Sequence, residues 1–524
     1  MSSISRRNLL EFAGKAGACS ALMGLRGLPA AHAQNASPNE FAFQSATELC
    51  RMLRERQISS FELTQYFIDR IERYDGAINC MVVRDFERAL EAAERADAAM
   101  SRGNLLGPLH GLPMSVKEAY DVAGLATTWG DPAYANNVAA ADSAIVASYK
   151  SAGAVLLGKT NVPVGLARYQ SFNDIYGQTN NPWNLERSPG GSSGGSAAAL
   201  AAGLTGLDSG TDIGGSVRNP SHCCGVYGHK PTWGIVPQRG YHSPAATGNS
   251  TRDLDVLGPL ARSADDLNLA LDVIAQPEDL NAPGWKLELP PPRANSLRDF
   301  KVAVWPSDPL SPPSTVIAER IEEVVAHLVD AGAEVSTTAR PGFDSVEAIT
   351  AYRHLLSSVS VPDPSDTEYA AGRAAFAALE PGDPEFSNVF SRARYADYRS
   401  WAQANDYRNG LRRLWQSFFE DWDIVLCPIS VITAPPHDHR PDAIRTYDVD
   451  GVATPWSNQV FWASLATLSY LPSTAFPTGL AADGLPIGLQ AIGSAYSDRT
   501  TIQFARLLTM ELGGFSAPPG YRNA

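Results

Sequence analysis

Two glycine-rich segments constrain this chain more than anything else in it. Ser188-Pro189-Gly190-Gly191-Ser192-Ser193-Gly194-Gly195-Ser196 sets four glycines around two serines and runs straight into an alanine-rich helical stretch through Ala202. Gly210-Thr211-Asp212-Ile213-Gly214-Gly215-Ser216-Val217-Arg218 follows a strand expected to begin near Leu207. Ordering glycine costs backbone entropy, so such clustering is expected where the main chain takes a positive φ or comes close to another group. One Gly-Gly-Ser is an ordinary turn. Two in close succession predict a site where successive N–H groups sit beside serine hydroxyls and cradle an oxyanion at Ser216.

The surrounding pattern alternates helix and strand. Ser45 with Glu48 and Ser59 with Glu62 are capping boxes opening two helices, the second with Leu63, Phe67, Ile71 and Tyr74 on one face. Residues 86–101 fit a third helix. Pro113–Lys117 and Val155–Gly158 read as short buried strands with a helix over Asp142–Ala152 between them. Phe300–Trp305 predicts a strand, and Ile317, Ile321, Val324 and Leu328 a helical stripe closed by Gly332. A long helix near 397–420 carries Tyr407, Leu411, Leu414 and Phe418 ahead of the strand Ile424–Cys427. The fold class that follows is α/β, a single large domain with a mixed central β-sheet covered by helices on both faces. The Pro-rich stretch 280–315 reads as a surface excursion within that domain, because alternation resumes at once.

Composition narrows the partners. Apolar residues make up 44% of the chain, enough for a large core, and the net charge of −14 argues against a nucleic-acid partner. Beyond the N-terminus, no segment has the ~20 uninterrupted apolar residues of a membrane span. Ser5-Arg6-Arg7-Asn8-Leu9-Leu10, a weakly apolar stretch to Leu28 and Ala31-His32-Ala33 predict a twin-arginine export signal over 1–33, cut after Ala33. Residues 34–524 are then the mature domain, periplasmic or secreted. Cys50, Cys80, Cys223, Cys224 and Cys427 remain, without CxxC spacing, so they are expected as buried small side chains rather than zinc ligands or disulfides.

The residue types leave the chemistry open. His110, His222 and His229 lie near these segments, yet nothing fixes one against a serine. Lys117 ends the apolar strand Met114-Ser115-Val116-Lys117: buried, it loses its proton readily and acts as a base, and solvated, it pairs with Glu118. Gly191–Gly195 also has the spacing of a nucleophile elbow centred on Ser193, but the polar, Pro-containing run Asn180–Pro189 is a poor strand to lead into one. His437-Asp438-His439 lacks a third partner for a metal and reads as a loop.

Taken in order, these residues resemble the amidase signature enzymes. The resemblance is carried by Gly177, Asn181-Pro182-Trp183-Asn184, Pro189 to Ala199, Asp212 to Arg218 and Cys224 to Thr232. His110-Gly111-Leu112-Pro113, Val116-Lys117-Glu118, Gly158-Lys159-Thr160-Asn161 and Gly484 to Gln490 extend it over 45–510. It implies the amidase signature fold and an amidase that cleaves a linear carboxamide to a carboxylic acid and ammonia or an amine. Carried over by position, Ser216 is the nucleophile, Ser192 the bridging serine and Lys117 the base. The backbone N–H groups of Ile213, Gly214, Gly215 and Ser216 form the oxyanion hole. Asp212 and Arg218 anchor the turn, and Ser193 positions Ser192 or the substrate. This chemistry calls for no cofactor and no metal. The partner is a small-molecule or peptide amide, with a homodimer left open.

The departures are Val164 and Leu166, at usually acidic and aromatic positions, and His229, at a usually apolar one; they bear on substrate preference. Loops 120–140, 168–176, 345–395 and 430–465 are expected to shape the substrate pockets. Trp456, Phe461, Trp462 and Tyr470 fit an aromatic acyl pocket or core packing equally. Two alternatives stand beside hydrolysis: a non-catalytic solute-binding member of the fold, against which the intact Ser216, Ser192 and Lys117 weigh, and an amidotransferase A-type subunit, against which export and acidity weigh.

Overall fold

Capping decides where the first helices begin. α1 (Ala46–Arg54) starts at Ser45, whose hydroxyl accepts from the Glu48 N–H, and α2 (Ser60–Ile78) starts at Ser59 with the reciprocal box complete through Glu62. The first box is only half made, because the Glu48 carboxylate turns to Arg51. The computed structural model describes residues 41–246, 250–359, 365–377, 395 and 397–522, and the expected export signal lies outside them.

The alternation then runs as β1 (Met81–Arg84), α3 (Phe86–Ser101), β2 (Pro113–Lys117), α4 (Ala144–Ser151) and β3 (Val155–Thr160). A two-residue hairpin, β4 (Phe172–Asn173) with β5 (Gly177–Gln178), precedes the first glycine-rich loop. α5 (Gly194–Ala201), β6 (Asp208–Asp212), α6 (Arg218–Cys224), β7 (Tyr227–Lys230) and β8 (Val256–Ala261) frame both loops. Next come α7 (Ala264–Ile274), β9 (Lys301–Val304), α8 (Thr315–Asp330), β10 (Glu334–Ser336), α9 (Ser345–Val359) and α10 (Asp366–Ala377). The chain finishes with α11 (Tyr398–Asp421), β11 (Ile424–Pro428), β12 (Thr446–Val449), β13 (Val452–Pro455), α12 (Val460–Thr467), β14 (Ser473–Leu480), β15 (Pro486–Ile492) and α13 (Asp498–Leu512).

Eight strands form one mixed sheet in the order β10-β9-β11-β15-β14-β7-β8-β6, parallel through β10, β9 and β11 and antiparallel from there to β6. β6, β8, β11 and β15 are buried at every residue, which requires cover on both faces, and α5 to α8 and α13 pack there. This is the helix-covered mixed sheet that the alternation predicts. A smaller sheet, β1-β3-β2, meets its edge where the Ser115 N–H donates to Leu207 O and the Gly206 N–H to Pro113 O, both at 3.1 Å. That junction lays the end of β2 beside β6 and so brings Lys117 to Thr211, just before the turn that holds Ser216. The described residues fall in one compact unit, and 277–296 runs over its surface without regular structure.

A second apolar cluster gathers α9, α11 and α12. The buried face of α11 is Arg408, Leu411, Trp415 and Phe419, so Leu411 is inside as expected while the other three positions lie one residue beyond the expected stripe, and Leu414 is 42% exposed. The larger ring decides this: Trp415 stacks on Phe419 with centroids 5.5 Å apart and packs on Phe343 at 5.6 Å. Arg408 goes inside because Asp253 accepts two bonds from it, at 2.8 and 2.7 Å. Cys50, Cys80, Cys223, Cys224 and Cys427 are buried and unbridged. No helix among the described residues is long and apolar enough to cross a membrane. Trp415→Ala should cost ~3–5 kcal/mol in denaturant unfolding, and Leu414→Ala less than ~0.5 kcal/mol. The opposite order would return α11 to the face expected from its sequence.

Candidate active site

Lys117 ends β2 with no exposed surface. Its Nζ donates to Ser192 Oγ at 2.6 Å and to Thr211 Oγ1 at 2.8 Å. Burial pushes its pKa down from 10.5 to about 7, against the opposing pull of Asp255, Asp212, Asp208 and Glu118. The alternative pairing with Glu118 does not form. Glu118 turns away and accepts from the Thr128 N–H (2.6 Å), the Trp129 N–H (2.9 Å) and the Tyr176 hydroxyl (3.2 Å).

Ser192 is 1% exposed and follows a cis Gly191–Ser192 peptide. Ser193 stitches the two loops together: its N–H donates to Ser216 O at 3.2 Å, and its Oγ accepts from the Thr211 N–H at 3.3 Å. No strand runs into this loop after β5, so the elbow reading of Ser193 fails. α5 can start here only because Gly195 has no side chain, since a Cβ would lie 2.4 Å from Asn161 N.

Ser216 sits in the turn between β6 and α6 and, at 6% exposure, is the most open of the three. Gly215 takes φ +101°, a left-handed conformation that favours glycine. Asp212 and Arg218 form a fully buried ion pair, Nη2 to Oδ1 at 2.8 Å and Nε to Oδ2 at 3.0 Å. Burial would raise the Asp212 pKa, but the charge and hydrogen bonds of Arg218 outweigh it and hold the carboxyl at about 2. Arg218 also donates to Gln490 Oε1 (2.9 Å), Thr467 Oγ1 (3.0 Å) and Ala463 O (3.2 Å), which ties the turn to β15 and α12.

One expected oxyanion donor is already engaged. The Gly215 N–H donates to Asp212 Oδ1 at 2.8 Å, because a buried carboxylate takes the nearest amide hydrogens to fill its lone pairs. Among the described residues the N–H groups of Ile213, Gly214 and Ser216 meet no protein acceptor. The carbonyls of the same turn are held from the other direction: the Tyr352 hydroxyl donates to Ile213 O at 2.8 Å and the Tyr169 hydroxyl to Gly214 O.

Sequence reasoning missed both tyrosines, although their segments stood among the expected pocket loops. It also missed Asp208, a buried acid that accepts from the Ser115 hydroxyl on the strand of Lys117. Burial lifts its pKa to about 7 despite bonds from Ser115 and Ser196.

The remaining candidates are accounted for elsewhere. His110 Nδ1 accepts from the Leu106 N–H, His222 binds backbone at Gly488 and Ile432, and His229 is buried between Thr474 Oγ1 (2.9 Å) and Asp498 Oδ1 (3.1 Å). His437 reaches Leu185 O, Asp438 pairs with Arg440, and His439 stacks on Phe172. Among the described residues no group of three or more His, Cys, Asp or Glu side chains could hold a metal. Phe461 and Trp462 are core residues, and Tyr470 stacks on Trp233 at 4.6 Å, whereas Trp456 packs edge-on at 5.7 Å against Tyr169, whose hydroxyl meets the turn.

Comparison with known proteins bears on the family of the whole chain. The family model "Amidase" matches residues 62–502. An indoleacetamide hydrolase of Bradyrhizobium diazoefficiens is 32% identical over 480 residues, 90% of this chain and 86% of the relative. The A-type subunit of the glutamyl-tRNA(Gln) amidotransferase of Moorella thermoacetica is 31% identical over 491 residues, 89% of this chain and 96% of the relative. An inhibitor-bound structure, from a vestigial protein complex bearing on the origins of an s-triazine catabolic enzyme, aligns with TM-score 0.74 at 27% identity. It covers 90% of this chain and 99% of its own. With the family model matched over most of its length and a relative 32% identical over 90% of it, this chain belongs to the amidase signature family of amide-hydrolysing enzymes.

Proposed function

We propose that the protein hydrolyses a linear carboxamide to a carboxylic acid and ammonia or an amine through an acyl-enzyme on Ser216. The observation that carries this is the Lys117 Nζ, buried and 2.6 Å from Ser192 Oγ. With its pKa lowered to about 7, much of the amine is neutral at neutral pH. Neutral Lys117 takes a proton from Ser192, which takes one from Ser216, and the freed Ser216 oxygen attacks the amide carbon. The alkoxide that forms faces the N–H groups of Ile213, Gly214 and Ser216, each worth ~3 kcal/mol of barrier. The relay then returns its proton to the leaving nitrogen, and water releases the acid by the same path.

Trp456 against Tyr169, together with the likeness to an indoleacetamide hydrolase, supports an aryl or arylalkyl amide as substrate. The likeness to an A-type amidotransferase chain supports a second reading, in which ammonia is passed to a partner-bound acceptor. The Arg6-Arg7 start and the net charge of −14 support hydrolysis outside the cytoplasm instead.

Ammonia or amine release from aryl, aliphatic and peptide amides should be greatest for the aryl class and should need no partner protein. Ser216→Ala and Lys117→Ala should each lower it on the order of 10⁴-fold or more. Release that persists in folded Ser216→Ala contradicts the mechanism. Because the acting form of Lys117 is deprotonated, kcat/KM should rise with pH through about 7 and level off above it, whereas a limb near 10.5 would contradict a buried base. Exported protein should begin at Gln34 on N-terminal sequencing, and an intact Met1 in that fraction would contradict cleavage after Ala33.

A further inference from the structure

We propose that Tyr169 and Tyr352 are positioning residues for amide cleavage, their hydroxyls fixing two consecutive peptide planes of the nucleophile turn so that the Gly214 N–H faces the substrate oxygen. The inference rests on the acyl-enzyme reading of Ser216. Tyr352 comes from α9, has no exposed surface and donates to Ile213 O at 2.8 Å. Tyr169 comes from the loop before β4, is 7% exposed and donates to Gly214 O. A Cβ placed on Gly214 would lie 3.1 Å from the Tyr352 hydroxyl and 3.9 Å from that of Tyr169, so both phenols close on the same residue.

In a planar trans peptide the C=O and the following N–H point in opposite directions. Holding the Ile213 carbonyl against Tyr352 therefore turns the Gly214 N–H the other way, where it meets no protein acceptor among the described residues. Holding the Gly214 carbonyl against Tyr169 turns the Gly215 N–H away from Tyr169, and Asp212 Oδ1 receives it at 2.8 Å. One tyrosine thus aims a donor at the reaction, and the other sets the anchor beside it. The clamp matters because Gly214 and Gly215 carry no Cβ to resist rotation of these peptides.

Both phenols stay protonated, and so remain donors, because burial pushes each well above the usual tyrosine range. Their own positions are fixed by the second apolar cluster, where Tyr352 is packed and where Tyr169 meets Trp456 edge-on at 5.7 Å. Packing of the expected substrate loops is in this way coupled to the geometry of the oxyanion donors.

The test uses full-length Tyr352→Phe, Tyr169→Phe and the double variant, which remove only hydroxyls. Each single change should lower kcat roughly tenfold or more with KM held within about twofold, since misaimed donors act on the transition state. Affinity for a trifluoromethyl ketone analogue of the best amide in the panel, which forms a tetrahedral adduct, should fall by the same factor as kcat. Affinity for the carboxylic acid product should not change. Thermal melting and active-site titration with the same ketone establish that the variants are folded. Unchanged kcat and ketone affinity in folded variants would overturn the inference while leaving the Ser216 reading in place. A loss confined to Tm or to the titrated fraction would overturn it as well, since that is what packing alone predicts. Persistent activity in Ser216→Ala would remove both together.

Discussion

An amine without a counter-ion, shut inside the protein, is the constraint on which the rest depends. Lys117 is buried and its Nζ meets two hydroxyls, Ser192 and Thr211, instead of a carboxylate. Each pKa unit corresponds to ~1.4 kcal/mol, so the fall from 10.5 to about 7 disfavours the folded state by ~5 kcal/mol when both states are protonated. The sign follows from a lowered pKa on a basic group: the penalty is full below about pH 7 and fades as pH rises towards 10.5. Buried Lys230 is lowered to about 7 as well, so what marks Lys117 as the candidate base is its contact with Ser192 at 2.6 Å.

The second buried cation of the site is treated in the opposite way. Arg218 is matched by Asp212 through two bonds and held further by Gln490, Thr467 and Ala463. That network consists of satisfied groups and fixes the turn, whereas the Lys117 contact is left ready to change its protonation. Asp208 belongs with Lys117 in this contrast. Burial raises its carboxyl to about 7, and in its ionised form it pulls the amine towards the charged state, a pull that the burial of Lys117 outweighs. Tyr169 and Tyr352 add a third element, neutral donors that shape the backbone without altering the charge.

Much of this was legible in the sequence because it is local. The turn glycines, the Ser59 capping box and the burial of β2 are decided by residues close in the chain, and the first Gly-Ser loop opens a helix as expected. What escaped is long-range. Tyr352 lies well over a hundred residues beyond Ile213, and its helical pattern marks only an apolar face, not the carbonyl that its hydroxyl meets. Gly215 reads as an oxyanion donor from sequence, but Asp212 takes its N–H. The α11 stripe shifts because periodicity alone does not say that Trp415 outranks Leu414 for the interior, or that Asp253 waits there for Arg408. Phe461 and Trp462 fit a pocket or a core equally from sequence, and their burial places them in the core.

The claim at the centre is the ionisation of one nitrogen. Titrating the Lys117 ε-amine directly, by nitrogen NMR of selectively labelled lysine with Lys117→Ala as the assignment control, measures it without reference to any substrate. A midpoint near 7 is the result this account predicts. A midpoint near 10.5 in the folded protein would mean that the amine stays charged at neutral pH, and Lys117 could not then draw the proton from Ser192.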